Sequence, residues 1–123
     1  MEGIKHFFDS YAIIEIVKEN KNYLRYIDEE ATITIFNLVE IYYSVLGDYP
    51  TEKADVVFDN YKDAVVVADD DILKDAIKFR KQNKKKNLSY ADCIGYIYAL
   101  RNDMKFLTGD KEFENIDNVE FVK

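Results

Sequence analysis

The amino-acid sequence predicts an α/β protein with three layers, α/β/α, built on a central, mostly parallel sheet of four to five strands. Two observations support this prediction. Short apolar or β-branched runs alternate along the chain with longer segments whose apolar residues recur at helical spacing. Their order is strand-helix-helix three times and then two strands. Strands joined by helical crossovers pair in parallel, with helices on both faces of the sheet.

The first half of the chain contains two predicted strands, each followed by helical segments. Apolar residues at helical spacing mark the helices, and β-branched and aromatic residues fill the second strand. In the second helix we expect Tyr23, Leu24 and Ile27 to lie on one side. The predicted elements are a strand over residues 4–8, helices over 11–18 and 22–30, a strand over 31–36 and a helix over 37–47.

The second half of the chain continues this alternation. Residues 91–100 are apolar all around a helical wheel, which predicts a helix buried on most sides. Ala91, Gly95 and Ala99 lie four residues apart and give this helix a small-residue face that another backbone could approach closely. The other predicted elements are helices over residues 51–63 and 69–81 and strands over 64–68, 105–108 and 119–122.

Composition restricts the class of protein. A chain of 123 residues with 48% hydrophobic and 33% charged residues is ordinary for one globular domain, which we expect to span residues 1–123. The net charge of −7 excludes nucleic-acid binding through bulk positive charge. The single Cys93 excludes an internal disulfide, and with a single His6 it argues against a zinc site. Neither a membrane-spanning run nor a signal peptide is evident, so we expect a cytoplasmic protein without a membrane partner.

Four acidic residues accompany the ends of the predicted strands. Asp9, Glu40 and Asp110 come at or after the carboxyl end of a strand, and Asp92 opens the helix that leads into the strand at residues 105–108. In open parallel sheets, functional sites form outside the carboxyl ends of the strands. The four carboxylates are therefore predicted to meet at one edge of the sheet.

Each of these acids also has a purely structural explanation. Asp9 fits a helix N-cap, and Ser89-Tyr90-Ala91-Asp92 fits a capping box. Asn37 fits an N-cap whose capping-box acid is Glu40, and Gly109-Asp110 is an ordinary turn pair. Capping does not explain why every acid stands beside a separate good capping or turn residue. Both explanations remain open at this point.

One strongly basic run precedes the helix at residues 91–100. Its members are Arg80, Lys81, Lys84, Lys85 and Lys86. Cations are favoured at a helix C-terminus, so a solvated helix end is one explanation. A phosphate contact is the other, because the run lies close in sequence to Asp92. Tyr42, Tyr43 and Tyr90 could stack on unpaired bases, although we expect core packing for at least two of them.

Four short motifs occur in order along nearly the whole chain. They are FFDSYAIIEI at residues 7–16, FNLVEIYYSVL at 36–46, SYADCIGYIYAL at 89–100 and FLTGDKEF at 106–113. Together they resemble the PIN domain, the nuclease fold of the toxins in VapBC toxin–antitoxin pairs. The family pattern is Asp-Ser/Thr after the first strand and Glu in the helix after the second strand. Asp then opens the helix before the fourth strand, and Thr-x-Asp-x-x-Phe follows that strand. The chain departs from many members in having only one helix over residues 46–64.

The resemblance implies a metal-dependent endoribonuclease that cleaves single-stranded RNA, similar to a VapC toxin held by an antitoxin. A carboxylate cluster without His or Cys suits Mg²⁺ or Mn²⁺. The resemblance assigns Asp9, Asp92 and Asp110 as metal ligands and Glu40 as a ligand or a positioner of the attacking water. The implied supporting residues are Ser10 and Thr108, which orient carboxylates. The position of the basic run makes Lys84, Lys85 and Lys86 candidate RNA contacts. A homodimer is a further expected assembly.

Four other classes of protein compete with this interpretation. An inactive PIN-like module that binds protein or RNA is disfavoured by the intact acids, and an RNA-processing PIN nuclease without an antitoxin stays open. A phosphoacceptor receiver needs paired acids after its first strand, where this chain has only Asp9. A phosphatase of the Asp-x-Asp type is excluded by Asp9-Ser10-Tyr11.

Overall fold

Five parallel strands run through the centre of the molecule, which the computed structural model describes over residues 3–123. The first two residues of the expected domain, 1–123, lie outside the described residues. The strands are β1 (His6–Phe8), β2 (Ile33–Thr34), β3 (Val65–Val66), β4 (Lys105–Thr108) and β5 (Val119–Phe121). Strand β4 lies between β1 and β5, and β2 pairs with β3. The amide of Phe8 donates a 2.9 Å hydrogen bond to the carbonyl of Thr32 and so links β1 to the segment entering β2.

Helices cover both faces of these strands, which confirms the predicted α/β architecture. They are α1 (Ser10–Val17), α2 (Ile35–Asp48), α3 (Thr51–Tyr61), α4 (Asp70–Gln82) and α5 (Tyr90–Arg101), with 3₁₀ turns at Lys21–Tyr26, Lys62–Ala64 and Lys111–Phe113. Within residues 3–123, no helix combines the length and the hydrophobicity needed to cross a membrane. Strand β4 has its predicted bounds, and the other four strands are shorter than predicted but overlap their predicted places.

Alternating side chains of β1 and β4 define two hydrophobic cores, because successive residues of a strand point to opposite faces. Phe7 and Phe106 pack with α4 and α5 on one face, and their rings stack with centroids 5.9 Å apart. Phe8 and Leu107 pack with α1, α2 and α3 on the other face. Helix α5 is buried around most of its circumference, as predicted.

At Gly95, in the middle of the small-residue face of α5, side chains rather than a second backbone approach the helix, which corrects the expectation at this position. A Cβ atom at Gly95 would lie 2.5 Å from Cε1 of Phe7 and 3.2 Å from Cε1 of Phe106. Glycine therefore lets two aromatic rings of the sheet approach the helix axis. A helical periodicity in small residues specified where close contact occurs, but it could not specify which atoms make it.

The helix predicted over residues 22–30 is instead a 3₁₀ helix at Lys21–Tyr26. With three residues per turn, Tyr23 and Tyr26 lie on the same side, and both are buried. Leu24 and Ile27 are exposed, so the prediction that they share a side with Tyr23 was wrong. The α-helical repeat assigned these apolar residues to the wrong face.

The strand predicted over residues 31–36 covers only Ile33–Thr34, and α2 begins at Ile35. The N-cap of α2 is Thr34, whose side chain accepts from the amide of Asn37. Asn37 is therefore the inner member of the capping box, and the prediction of an Asn37–Glu40 box was wrong. A short apolar run does not by its periodicity distinguish a buried strand from the start of a helix.

Candidate active site

The four predicted acids meet at the edge of the sheet where β1 and β4 end. Asp9 follows β1 and caps α1, whereas Asp110 follows β4. Asp92 lies in the first turn of α5, and Glu40 lies in the second turn of α2. The negative charges of Asp92 and Glu40 both act on Asp9, and those of Glu40 and Asp110 act on Asp92. The predicted convergence is thus present in the structure.

Asp9 is the innermost of these acids, with 1% of its surface exposed. One carboxylate oxygen accepts a 2.8 Å hydrogen bond from the amide of Ser10, and the other accepts a 2.7 Å bond from the hydroxyl of Thr108. Burial raises the pKa of Asp9 well above its ordinary value, and the charges of Asp92 and Glu40 raise it further. The Thr108 and Ser10 hydrogen bonds oppose this rise because they stabilise the charged form.

Glu40 is held by a chain of side-chain hydrogen bonds that begins at Asn37. The side-chain Nδ2 atom of Asn37 donates to the Ser10 hydroxyl at 3.1 Å, and that hydroxyl donates to Oε1 of Glu40 at 2.7 Å. Asn37 is fully buried, and its Oδ1 atom accepts from the amide and the hydroxyl of Thr34. Ser10 thus fixes the position of the Glu40 carboxylate.

Asn37 is a site residue that the sequence interpretation assigned only a capping role. Its side chain reaches the Glu40 carboxylate through Ser10, which lies 27 residues away in the sequence. The available signal was the spacing between Asn37 and Glu40, since residues three apart share a face of an α-helix. A polar residue one turn before a candidate catalytic acid is positioned to support it.

Asp92 forms the predicted capping box and also lies near the other acids. Its Oδ2 atom accepts a 2.8 Å hydrogen bond from the amide of Ser89, and its own amide donates to the Ser89 hydroxyl at 3.0 Å, which completes a capping box. Burial also raises the pKa of Asp92 to about 6, against the opposing effect of the Ser89 hydrogen bonds. Glu40 and Asp110 add to this rise through their negative charges.

Thr108 joins Asp110 to Asp9. Its hydroxyl donates to Asp9 and accepts a 3.1 Å hydrogen bond from the amide of Asp110. The Asp110 side chain caps the 3₁₀ turn at Lys111–Phe113 by accepting from the amide of Glu112 at 3.0 Å. A single buried hydroxyl therefore links the carboxylate of Asp9 to the backbone of Asp110.

The donor set fits a hard divalent cation, although the side chains are not arranged as a finished coordination sphere. Across residues 3–123, no group of three or more His, Cys, Asp or Glu side chains could hold a metal ion as it stands. Each acid is instead turned onto a hydrogen-bond donor near it. All four groups nevertheless offer oxygen ligands of the kind Mg²⁺ and Mn²⁺ prefer, and their mutual repulsion favours a cation between them.

The basic run borders the site from the connection between α4 and α5. Lys84, Lys85 and Lys86 are exposed, and Lys86 Nζ donates to the carbonyl of Glu112 at 3.2 Å. The amide of Asn87 donates to the Glu112 carboxylate at 2.9 Å. This connection is therefore tied to the turn that follows Asp110.

The expectation that core packing accounts for at least two of three tyrosines was wrong. Tyr43 is 75% exposed and Tyr90 is 58% exposed. Only Tyr42 is partly buried, where its ring contacts Phe58 edge-on and its hydroxyl donates to Asp55 at 2.7 Å. Tyr90 opens α5 and lines one surface groove with Glu40 and Ser89, so its exposed ring stands beside the candidate site.

Comparison with known sequences assigns the family. The sequence profile of the PIN domain family matches residues 7–119, a span that contains all four acids. The chain belongs to the PIN domain family. The parallel strands and flanking helices agree with this assignment. No functionally curated protein matches the chain.

Solved structures share the fold of this PIN domain at low sequence identity. A toxin–antitoxin complex from Klebsiella pneumoniae contains a chain with a TM-score of 0.71 and 15% identity, covering 94% of this chain and 96% of that one. VapBC2 from Rickettsia felis, bound to a DNA fragment from its promoter, gives 0.70 and 15% with coverages of 98% and 100%. FitAcB from Neisseria gonorrhoeae gives 0.65 and 16% with coverages of 94% and 96%. At such identities the likeness concerns the fold alone.

Proposed function

We propose that this PIN domain is a metal-dependent endoribonuclease that cleaves single-stranded RNA and acts as a VapC-like toxin. The observation that carries the proposal is the convergence of Asp9, Glu40, Asp92 and Asp110 at the edge where β1 and β4 end. Two of these carboxyls have raised pKa values, and a cluster of perturbed carboxyls in one place is typical of functional sites. A purely structural set of caps has no reason to converge.

Asp9, Asp92 and Asp110 are the residues that would hold Mg²⁺ or Mn²⁺, with Glu40 as a further ligand or as the residue that positions water. When bound, such an ion supplies an activated water and stabilises charge at a phosphodiester group. Thr108 holds the carboxylate of Asp9, and Ser10 holds that of Glu40. Because these hydroxyls are themselves anchored, two carboxylates keep their orientation while the site exchanges solvent for RNA.

Control by a protein antitoxin is the second part of the proposal. The structural neighbours include toxin–antitoxin complexes, which favours an antitoxin partner and a homodimer for this chain as well. Ile35, Val39 and Tyr43 expose half or more of their surface on α2, next to Glu40. An exposed apolar helix face beside a candidate site suits a protein partner that blocks access to the acids.

RNA cleavage by the purified protein tests the nuclease. Labelled single-stranded RNA should be cut in Mn²⁺ or Mg²⁺, and EDTA should stop the reaction. Asp92→Asn should remove most of the activity while its far-ultraviolet circular dichroism stays that of the wild type, because an amide can keep the Ser89 capping bond. Full activity of Asp92→Asn would refute the proposed chemistry. Absence of cleavage with retained RNA binding would favour an inactive PIN module.

Thermal melting tests metal binding without relying on activity. Divalent cations should raise the melting temperature of the wild type by mass action and should raise that of Asp92→Asn much less. Asp70→Asn is a matched control, because Asp70 lies in the first turn of α4, outside the cluster. Equal metal shifts in the wild type and Asp92→Asn would argue against a metal site here.

A further inference from the structure

Arg80 and Tyr90 form an ordered pair beside the candidate site. Arg80 lies in the last turn of α4, and its Nε atom donates a 3.0 Å hydrogen bond to the carbonyl of Leu88. Its guanidinium carbon lies 4.4 Å from the centroid of the Tyr90 ring, a distance at which the cation is attracted to the ring. The two contacts hold the guanidinium against Leu88 and Tyr90, the residues that flank Ser89, the N-cap of α5.

Arg80 differs from the other two arginines of the chain in having no carboxylate partner. Arg25 pairs with Glu120, and Arg101 pairs with Asp75. Among residues 3–123, no carboxylate lies within ion-pair distance of Arg80, although acidic residues outnumber basic ones by 24 to 17. The hydrogen bond to Leu88 uses Nε only, so the two terminal nitrogens stay available to an anion.

Tyr90 presents an aromatic surface next to this cation. The residue is 58% exposed even though Arg80 lies against its ring. It is the first residue of α5 and precedes Asp92 by two positions. Exposed aromatic rings beside cations bind unpaired nucleotides, since every base has a face that can stack and every nucleotide carries a phosphate.

We propose that Arg80 and Tyr90 together bind one unpaired nucleotide of the RNA substrate, Arg80 at a backbone phosphate and Tyr90 at the adjoining base. The inference rests on the proposed function, because it supplies the contact that holds a strand against the acids. Lys86 adds a second cation at the border of the acids, because its Nζ atom donates to the carbonyl of Glu112 in the turn after Asp110. An acidic cluster repels phosphates, so a pre-ordered cation at its border is needed to bring the strand close.

We call the pair of Arg80 and Tyr90 the platform. Binding of labelled single-stranded oligouridylate by Asp92→Asn protein tests the platform without cleavage. In this background, Arg80→Gln should weaken binding about tenfold and reduce the slope of log affinity against log salt by roughly 0.7, as expected for one lost phosphate contact on a single strand. Added Tyr90→Leu should also weaken binding about tenfold with an unchanged salt slope, because it removes only stacking. Tyr90→Phe keeps the ring and should bind like its parent.

An RNA with abasic positions separates stacking from a structural effect. The parent should bind abasic RNA more weakly than intact RNA, and Tyr90→Leu should bind the two alike. Wild-type affinity of both Tyr90→Leu and Arg80→Gln for intact RNA would overturn the platform, even if the enzyme cleaves RNA. RNA binding that depends on these residues, in a protein that cleaves nothing, would support the platform and refute the nuclease. Arg80-dependent binding of an acidic peptide without any effect on RNA would make this surface a protein contact and overturn the proposal.

Discussion

Thr108 donates a 2.7 Å hydrogen bond to Asp9, a residue 99 positions earlier in the chain. Paired strands β1 and β4 bring the two side chains together, and both are almost completely buried. Thr108→Val keeps the shape of the side chain and removes its donor. The buried carboxyl of Asp9 then loses one of its two partners, and the amide of Asp110 loses its acceptor.

We therefore expect Thr108→Val to lower the free energy of unfolding by about 1–3 kcal/mol, the cost of leaving a buried polar group unsatisfied. Urea unfolding measures the change. Thr108→Ser retains the hydroxyl and is the control, with a smaller loss that reflects only the missing methyl group. If both substitutions cost the same, the hydroxyl has no role in holding Asp9.

Asp92 gives the metal-free protein a specific dependence on pH. Its pKa is about 6 in the folded chain against an ordinary value of 3.8, so between these values the folded state binds more protons than the unfolded state. The stabilisation from Asp92 is fully present below the ordinary value and is lost as pH rises through about 6. Asp92→Asn removes this loss because the amide does not titrate.

In EDTA, the free energy of unfolding of Asp92→Asn should thus increase relative to that of the wild type as the pH rises from about 4 to 7. The gain should approach roughly 2–3 kcal/mol, reduced by about 0.3–1 kcal/mol for the lost charge in the first turn of α5. Thermal melts at several pH values measure it. Parallel curves for the two proteins would leave Asp92 with a capping role only.

The three lysines of the α4–α5 connection make a separate prediction about RNA binding. Replacing Lys84, Lys85 and Lys86 together with Gln should weaken binding and reduce the salt slope by about two, at roughly 0.7 for each lost phosphate contact on a single strand. Fluorescence anisotropy across a salt series measures both quantities. Lys84→Gln with Lys85→Gln spares the Lys86 bond to Glu112 and controls for loosening of the loop. An unchanged slope would return the lysines to a solvated surface.

Gly109 places Asp110 against the end of the sheet. A Cβ atom there would collide with the carbonyl oxygen of Val122 and with the ring of Tyr11. Gly109→Ala should therefore destabilise the protein by about 1–3 kcal/mol through overpacking. Gly47→Ala is the matched control, because nothing lies within 4 Å of its added Cβ inside α2, and it should stabilise slightly. Equal melting temperatures for the two variants would show that the space around Gly109 does not require a glycine.

The order of elements and the position of the acids could be predicted from sequence because both depend on local patterns. Asp9 and Asp110 follow apolar strands, Asp92 opens an apolar helix, and parallel connectivity then brings the three acids to one edge. Asn37 could not be assigned in the same way. Its role depends on a hydrogen bond to Ser10, and a contact between two elements leaves no periodic signal in either.

Tyr23, Tyr90 and Arg80 likewise have positions that local sequence patterns do not determine. Tyr23 lies in a 3₁₀ turn, where propensities resemble those of an α-helix but the packed face changes. The exposure of Tyr90 follows from what α5 packs against rather than from its own residue type. The pairing of Arg80 with Tyr90 requires the path of the connection between α4 and α5, which composition does not determine.

The capping box at the start of α5 has an evolutionary consequence. An asparagine at position 92 could accept the same bond from Ser89 and would relieve the repulsion from Glu40 and Asp110. Selection for folding alone would then favour the amide, so asparagine should replace this aspartate in lineages that no longer need the acid for function. A chain that keeps Asp92 accepts lower stability at neutral pH, and the difference between Asp and Asn at this one position becomes a record of whether the acid is still in use.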